Sequence, residues 1–359
     1  MAAKSPVRQP RLRRSRCDGP GITRRRRGNG FAYYYADGTR VTDADVLARI
    51  SGLVLPPAWK DVWICPWPNG HVQALGTDAA GRRQYRYHDD WRLRRDAEKH
   101  ERVLSMAAAL PRVRETIAND MKDTAEGRVG RRAVLAAAVR LLDLGFFRVG
   151  GETYADEHST YGLATLRKDH VTIDGDALVF EYDAKGGQHR VVSIVDDDVR
   201  RLVTILKRRR SGGEELLAYK DEMGCWRDVR SSDINDHLRE LSDIDMTAKD
   251  FRTWHATVLM AVALAVSSSV TAPAARERAI ARAYKEVAAY LGNTPAVCRK
   301  SYVDPKVVDL FEQGVTIARA LEKLGSEPQY GLATQGAVEE AVVRMLTSPK
   351  WTSATRRVG

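Results

Sequence analysis

The stretch that decides the fold reads YLGNTPAVCRKSYVDP, from Tyr290 to Pro305. A helix runs into Gly292, a residue able to take the left-handed conformation that closes a helix C-terminus. Asn293 follows at once. Thr294-Pro295 has the form of an N-cap with proline at the first helical position, which predicts a second helix. Tyr302 falls about two turns into that helix. Asp304-Pro305 stops it, because the residue before a proline is pushed out of the helical region. The pattern predicts a tyrosine held near a turn that carries a side-chain amide. Alone, a tyrosine in a short helix is a packing residue, so the rest of the chain has to decide.

Outward from this stretch, 359 residues are enough for two domains and a real core. The net charge is +11, which points to an anionic partner. Residues 1–30 carry ten Lys and Arg against one acid, Asp18, a balance of +9, so the remaining body is only +2. A DNA-binding surface on the body must therefore be a local patch. The tail reads either as a disordered solubility or localisation segment or as a loose polyanion contact. Cys17, Cys65, Cys225 and Cys298 are scattered without metal-ligand spacing, which reads as free thiols in a reducing compartment. The longest apolar run, Ala256 to Val266, is too short to cross a bilayer. The N-terminus lacks the apolar segment of a signal peptide. A cytoplasmic, nucleoid-associated protein with no membrane partner is expected, and the Arg- and Ala-rich, Lys-poor composition suits a GC-rich bacterial genome.

Folding is expected to begin at Phe31. Tyr33 to Tyr35, Asp37-Gly38 and Arg40-Val41 read as a hairpin. A short helix over Asp43 to Ser51 is capped by Thr42 or Asp43. Val62 to Ile64, His71 to Thr77 and Arg82 to His88 alternate like strands. On the last of these, Tyr85 and Tyr87 share one face and Gln84, Arg86 and His88 the other. Such a face is either an ordinary half-buried strand or a surface that lies in a DNA groove. Trp59, Trp63 and Trp67 read as core anchors. From Trp91 the chain turns helical: Asp96 to Leu110, broken by Pro111, a second helix through about Asp123, and an amphipathic helix over Arg131 to Leu144. Arg148 then stands between apolar residues and Gly150-Gly151. Three strands follow, Val171 to Ile173, Leu178 to Tyr182 and Val191 to Val195, with Lys185-Gly186-Gly187 at a hairpin tip. Further helices are expected over Asp196 to Arg210, Ser231 to Leu241, Phe251 to Val266, Arg276 to Leu291, Val307 to Leu324 and Ala337 to Leu346.

Thr247 to Asp250 resembles a capping box with Asp in the Glu position. Lys249 and Arg252, three apart, share the first turn of the helix that follows. Cations at the positive end of a helix are unfavourable by a few tenths of a kcal/mol, roughly. A phosphate bound there would reverse that. Asp156-Glu157-His158 reads as a solvated loop rather than a ligand set. The chain has no P-loop and no acidic cluster with metal spacing, so neither ATP nor a metal is expected.

The ordered set Arg148, Lys185, Lys249, Arg252, Asn293 and Tyr302 lies in four motifs, FFRVGGETY (146–154), AKGG (184–187), KDFRTWHAT (249–257) and LGNTPAVCRKSY (291–302), and GRRQYRYH (81–88) precedes them as a fifth. In them the sequence resembles the type IB DNA topoisomerases, in their small poxvirus-type and bacterial branch, over about residues 31–320. The resemblance implies an α+β fold. It comprises a basic tail (1–30), a β-rich N-terminal DNA-binding domain (31–90) and a mostly helical catalytic domain with a three-stranded antiparallel sheet (91–359), the whole forming a C-shaped clamp on double-stranded DNA. A monomer is expected, relaxing positive and negative supercoils through a 3′-phosphotyrosyl intermediate without metal or ATP. Tyr302 would be the nucleophile. Arg148 and Arg252 would clamp the phosphate and Lys185 would be the general acid. Asn293 stands where most members have histidine, so the position would stabilise charge without exchanging protons. Gln84, Tyr85, Tyr87, Tyr154 and Lys249 would contact DNA. Two other readings compete. One is a tyrosine recombinase, whose second box usually reads His-x-x-Arg where Lys249 stands here. The other is a non-enzymatic basic DNA-binding protein with this fold.

Overall fold

The computed structural model describes residues 11–122, 129–152, 155, 159–269, 271–324 and 335–348. Tyr154 and the Asp156-Glu157-His158 run lie outside the described residues. The chain divides into two compact units between Lys99 and His100.

The first unit is built on an antiparallel sheet of five strands, in the order β2-β1-β3-β4-β5. They are β1 (Ile22–Arg27), β2 (Gly30–Tyr34), β3 (Lys60–Ile64), β4 (Val72–Thr77) and β5 (Arg83–Tyr87). One helix, α1 (Ala44–Gly52), is capped by Asp43, whose carboxylate accepts from the amides of Asp45 and Val46 at 2.8 and 3.1 Å. Ile22, Val41, Ile50, Val62, Ile64 and Ala74 form its core.

The expected disordered tail is corrected over residues 11–30. Counting charges missed the anchors. Ile22 is buried and pairs with Ile64 across β1 and β3. The Arg13 guanidinium lies 3.6 Å from the Trp67 ring centre. Arg24 donates to the carbonyls of Pro56 and Trp59 at 3.0 and 2.7 Å. The main hairpin therefore turns at Gly28-Asn29. The expected pairing of Tyr33 to Tyr35 with Arg40-Val41 survives as one bridge, Tyr34 to Arg40, and flanking hydrogen bonds.

The second unit contains a three-stranded antiparallel sheet, β6 (Val171–Asp174), β7 (Ala177–Ala184) and β8 (Gln188–Val195). A two-stranded ribbon, β9 (Ala218–Lys220) and β10 (Trp226–Asp228), had no sequence signal of its own. Helices α2 (Asp89–Lys122), α3 (Arg131–Gly145), α4 (Asp197–Lys207), α5 (Ser231–Ser242), α6 (Ala248–Val266), α7 (Pro273–Leu291), α8 (Pro295–Ser301), α9 (Pro305–Glu312), α10 (Ala318–Leu324) and α11 (Ala337–Thr347) supply the rest. One continuous core gathers α3, α6, α7 and the inner face of the sheet.

Three expectations change here. Helix α2 is continuous through Pro111. A proline inside a helix costs about 3 kcal/mol, but Val103, Met106, Ala107, Leu110, Val113, Ile117 and Met121 keep a buried stripe on both sides of it. Burying side chains of that size at about 1.5–3 kcal/mol each offsets the loss. The division between units falls inside α2, beyond the boundary expected near residue 90. The helix expected over Val307 to Leu324 is two helices, parted at Gly314, whose φ is +79°. No helix among the described residues is long and apolar enough to cross a membrane.

Candidate active site

Five segments of the second unit meet at one cavity of about 320 Å³. Arg148, Lys185, Lys249, Arg252 and Tyr302 line it, together with Gly150, Gly151 and Tyr161.

Helix α3 ends at Phe146, which takes a left-handed conformation at φ 55°. Phe147 turns inward and is buried, edge-on to Phe180 at 5.2 Å. Arg148 must then face the other way. Its backbone carbonyl accepts from Leu163 at 2.8 Å. Gly150 (φ +89°) lies so close to Gly162 that a side-chain carbon on Gly162 would sit 2.5 Å from the Gly150 backbone. The approaching backbone is that of Gly162, and only a glycine pair lets the two chains come this close. Lys185 sits at the β7–β8 tip, exposed, followed by Gly186 and Gly187 with φ of +86° and +69°.

The start of α6 differs from the expectation of an open, phosphate-ready N-terminus. The capping box forms: Asp250 accepts from the Thr247 amide and hydroxyl at 2.9 and 3.0 Å. Arg102 holds the same carboxylate at 2.9 Å. The Ala248 amide is already bonded to Asn235 at 3.0 Å. Lys249 is exposed, whereas Arg252, 3% exposed, reaches away from its own helix end. It donates to the carbonyl of Phe146, and to that of Leu291 at 2.7 Å.

The target of Arg252 is the C-terminal end of α7. Gly292 takes the expected left-handed cap (φ 60°, ψ 55°). Three arginines cover the last carbonyls. Arg190 takes Ala289 and Tyr290 at 3.3 and 2.8 Å. Arg252 takes Leu291, and Arg148 takes Gly292 at 2.7 Å. A helix C-terminus carries roughly half a negative charge, which favours cations. None of the three pairs with a carboxylate among the described residues. Burial lowers the pKa of both Arg148 and Arg252, and their mutual repulsion lowers that of Arg252 further, while the neighbouring Tyr302 opposes both shifts. The cluster is thus a concentration of positive charge without an anion.

Asn293 is held against Arg148, next to the residues that line the cavity. Its Oδ1 accepts from Arg148 at 2.9 Å, while its Nδ2 is buried without a partner. Thr294 caps α8 by accepting from the Val297 amide at 3.3 Å. Tyr302 sits at the C-terminal cap of α8, half-buried, with the Arg252 guanidinium 5.2 Å from its ring centre. The chain beyond it is fixed by Asp304, whose buried amide donates to Thr257 of α6 at 3.1 Å.

Two residues of this neighbourhood escaped the sequence reading. Tyr161 enters the wall through a parallel bridge to Ala184. Arg190 lies on β8, five residues beyond Lys185. Neither carries a local signal, because both are brought in by tertiary pairing.

In the first unit, Tyr85 and Tyr87 share a face as expected, their rings stacked at 5.9 Å. Tyr85 is 45% exposed, while Tyr87 packs with Trp67. Gln84, on the opposite face, donates to Asp78 at 2.9 Å. Hydrogen bonds from Arg82 hold that carboxyl down at about 2.

Residues 88–325 match the family described as eukaryotic DNA topoisomerase I, catalytic core. Residues 30–78 match bacterial DNA topoisomerase IB, N-terminal domain. The chain is 31% identical over 299 residues to DNA topoisomerase 1B of Acanthamoeba polyphaga mimivirus, covering 81% of this chain and 88% of that protein. It is 23% identical over 298 residues to DNA topoisomerase 1B of Vaccinia virus (strain Copenhagen), covering 78% and 90%. Against DNA topoisomerase 1 of Drosophila melanogaster it is 26% identical over 65% of this chain, but over only 23% of that protein.

Proposed function

The chain belongs to the type IB DNA topoisomerases, an enzyme family, and on that premise we propose that it relaxes positive and negative supercoils by cutting and resealing one strand of duplex DNA. The observation that carries this reading is the gathering of Arg148 and Arg252, without a carboxylate partner, beside Tyr302.

The chemistry follows from the residue types. The Tyr302 oxygen attacks a backbone phosphorus, and its proton passes to solvent. The bond from phosphorus to the 5′ oxygen breaks, leaving a 3′-phosphotyrosyl link. Lys185 gives its proton to the departing 5′ oxygen, so that a hydroxyl and not an alkoxide leaves. A positioned general acid supplies roughly 10²–10⁴ in rate. Arg148 and Arg252 meet the charge that builds on the non-bridging oxygens. Their carbonyl anchors fix the guanidinium planes before DNA arrives, so little reorganisation is needed during the reaction. Asn293 adds a neutral donor through its unpartnered Nδ2 and orients Arg148 through its Oδ1. Lys249, exposed on the wall, adds charge for the phosphate. Resealing is the reverse reaction, so bond energy is kept in the phosphotyrosine and neither ATP nor a metal is required.

Both units would engage one duplex, closing on it as a clamp, with the protein acting as a monomer. In the first unit, exposed Tyr85 with Tyr87 forms the face of β5 offered to the DNA, with Gln84 a candidate contact on the other face; in the second, Tyr154 is the remaining DNA-contact candidate.

The test is relaxation of a supercoiled plasmid that carries no recombination site, in EDTA and without ATP. Relaxation by the wild type with none by Tyr302→Phe is expected. A strict need for paired target sites would replace this reading with a recombinase. A requirement for magnesium or ATP would remove the metal- and ATP-independent chemistry.

A further inference from the structure

We propose that Arg190 is a positioning residue that sets the Lys185 hairpin against the chain segment carrying Asn293 and Tyr302. The proposal rests on the reading of Lys185 as the acid.

Lys185 stands at the tip of β7–β8, and two positive-φ glycines follow it. The tip is closed by the pairing of Ala184 with Gln188, so its placement follows that of β7 and β8. Arg190 lies on β8, opposite Tyr182 in register, two residues past the start of the strand. Its guanidinium bridges to the carbonyls of Ala289 and Tyr290, the last turn of α7. Gly292 fits beneath it so closely that a side-chain carbon there would lie 2.9 Å from Arg190 Nη1 and from Gln188 Oε1. One side chain thus joins the strand that carries the proposed acid to the helix end that leads into the proposed nucleophile. Two bonds from one planar group fix both distance and orientation. Arg190 is absent from the cavity wall, so it acts through Lys185 and not on the phosphate.

The measurement is single-turnover cleavage of two duplexes that differ in one atom, oxygen or sulfur, at the 5′ leaving position. A thiolate leaves without a proton and makes the acid dispensable. Arg190→Met, which keeps the aliphatic stem, is expected to slow the oxygen substrate by about tenfold or more and the sulfur substrate by less than about threefold. Lys185→Ala should show the same asymmetry, and adding Arg190→Met to it should slow cleavage no further. Arg190→Lys, able to reach one carbonyl only, should fall in between. Equal slowing of both substrates by Arg190→Met, or no slowing, overturns the proposal. If Lys185→Ala is rescued by sulfur and Arg190→Met is not, only the role of Arg190 fails. If neither is rescued, the acid assignment fails with it.

A separate observation carries a second inference. The β1–β2 ribbon lies mostly ahead of the matched N-terminal domain, which starts at residue 30. Arg25, Arg26 and Arg27 are exposed along it, and none pairs with a carboxylate among the described residues. Arg25 lies 4.8 Å from the Tyr34 ring centre, which stiffens its stem. We infer that this ribbon is an additional contact for the phosphates of duplex DNA. An antiparallel two-stranded ribbon fits the major groove. Each phosphate neutralised adds about 0.9 to the slope of log affinity against log salt. Replacing all three arginines with alanine should lower that slope by about 2–3 and leave the cleavage rate at saturating enzyme unchanged. Replacing them with lysine should preserve the slope. An unchanged slope in the alanine variant, or an equal loss with lysine, overturns the inference.

Discussion

Arg148 donates to Asn293 Oδ1 at 2.9 Å, and the amide nitrogen of Asn293 is left buried and without a partner. One side chain therefore orients an arginine with its acceptor and keeps its donor in reserve. A buried donor without a partner costs about 1–3 kcal/mol, and a phosphate oxygen would recover that. Asn293→Ala should slow DNA cleavage by about 1.5–3 kcal/mol, the worth of a hydrogen bond to a charged group, while Asn293→His stays active. Asn293→Asp should be slower than Asn293→Ala, because a carboxylate would hold Arg148 and repel the phosphate. Rapid-quench cleavage of a single-site duplex reads all three. Full activity in Asn293→Ala together with a dead Asn293→His would remove the assigned role.

Tyr302→Phe keeps the ring beside Arg252 and removes only the attacking oxygen. It should abolish the covalent protein–DNA adduct trapped by detergent and leave DNA affinity within about tenfold, since a phenol contributes at most one hydrogen bond to binding, about 0.5–1.5 kcal/mol. Peptide mapping of the wild-type adduct should place the DNA on the peptide containing Tyr302. An adduct that survives in Tyr302→Phe, or maps elsewhere, would show that the nucleophile is misassigned.

Lys185→Ala should slow cleavage by roughly 10²–10⁴ with an oxygen leaving group, with plasmid relaxation falling in parallel. The effect should appear in the rate at saturating enzyme and hardly at all in affinity, because an exposed hairpin lysine adds one screened charge to binding. Loss of affinity at an unchanged saturated rate would make Lys185 a DNA contact and not an acid.

The opening stretch was legible because its signals are local. Gly292 at a helix end and Thr294-Pro295 as a cap each follow from one or two residues' own backbone preferences, whereas Asp304-Pro305, expected as a stop, instead caps and opens α9 after α8 has ended at Ser301. The three strands of the second unit and the amphipathic α3 were legible by periodicity. What the sequence could not show was how charge is held. The anchoring of Arg252 on Leu291, of Arg190 on Ala289 and Tyr290, and of Arg24 on Pro56 and Trp59 all use backbone carbonyls far along the chain. A carbonyl has no sequence signature. The same blindness made residues 11–30 look disordered, since their order rests on one buried isoleucine and on arginine stems packed against tryptophan and backbone. Pro111 misled for a related reason: local propensity said break, and the buried stripe on both sides overrode it.

Beneath the site, Arg114 of α2 holds two acids, Asp143 of α3 at 2.8 Å and Glu339 of α11 at 2.6 Å. Glu339 also accepts from Trp254 of α6 at 2.8 Å, so the cluster ties four helices together. Burial alone would raise the Asp143 carboxyl, but His255, 3.6 Å away, and the hydrogen bonds from Arg114 reverse that and hold it well below the usual carboxylate range. The sign follows. In the window between the depressed folded value and the ordinary value near 4, the unfolded chain binds more protons, so stability rises with pH. The contribution is complete above about pH 4 and is lost as the solution is acidified below it. Arg114→Met leaves Asp143 with Arg140 as its one arginine, at 3.2 Å, and Glu339 without an ion partner among the described residues, and should cost about 3–5 kcal/mol at pH 7. That deficit should shrink as both proteins are taken below about pH 4, because protonated carboxyls no longer need the guanidinium. Urea unfolding at a series of pH values measures the difference directly. A deficit that stays constant from neutral to acid pH would mean that Arg114 stabilises the unit by packing and not by charge.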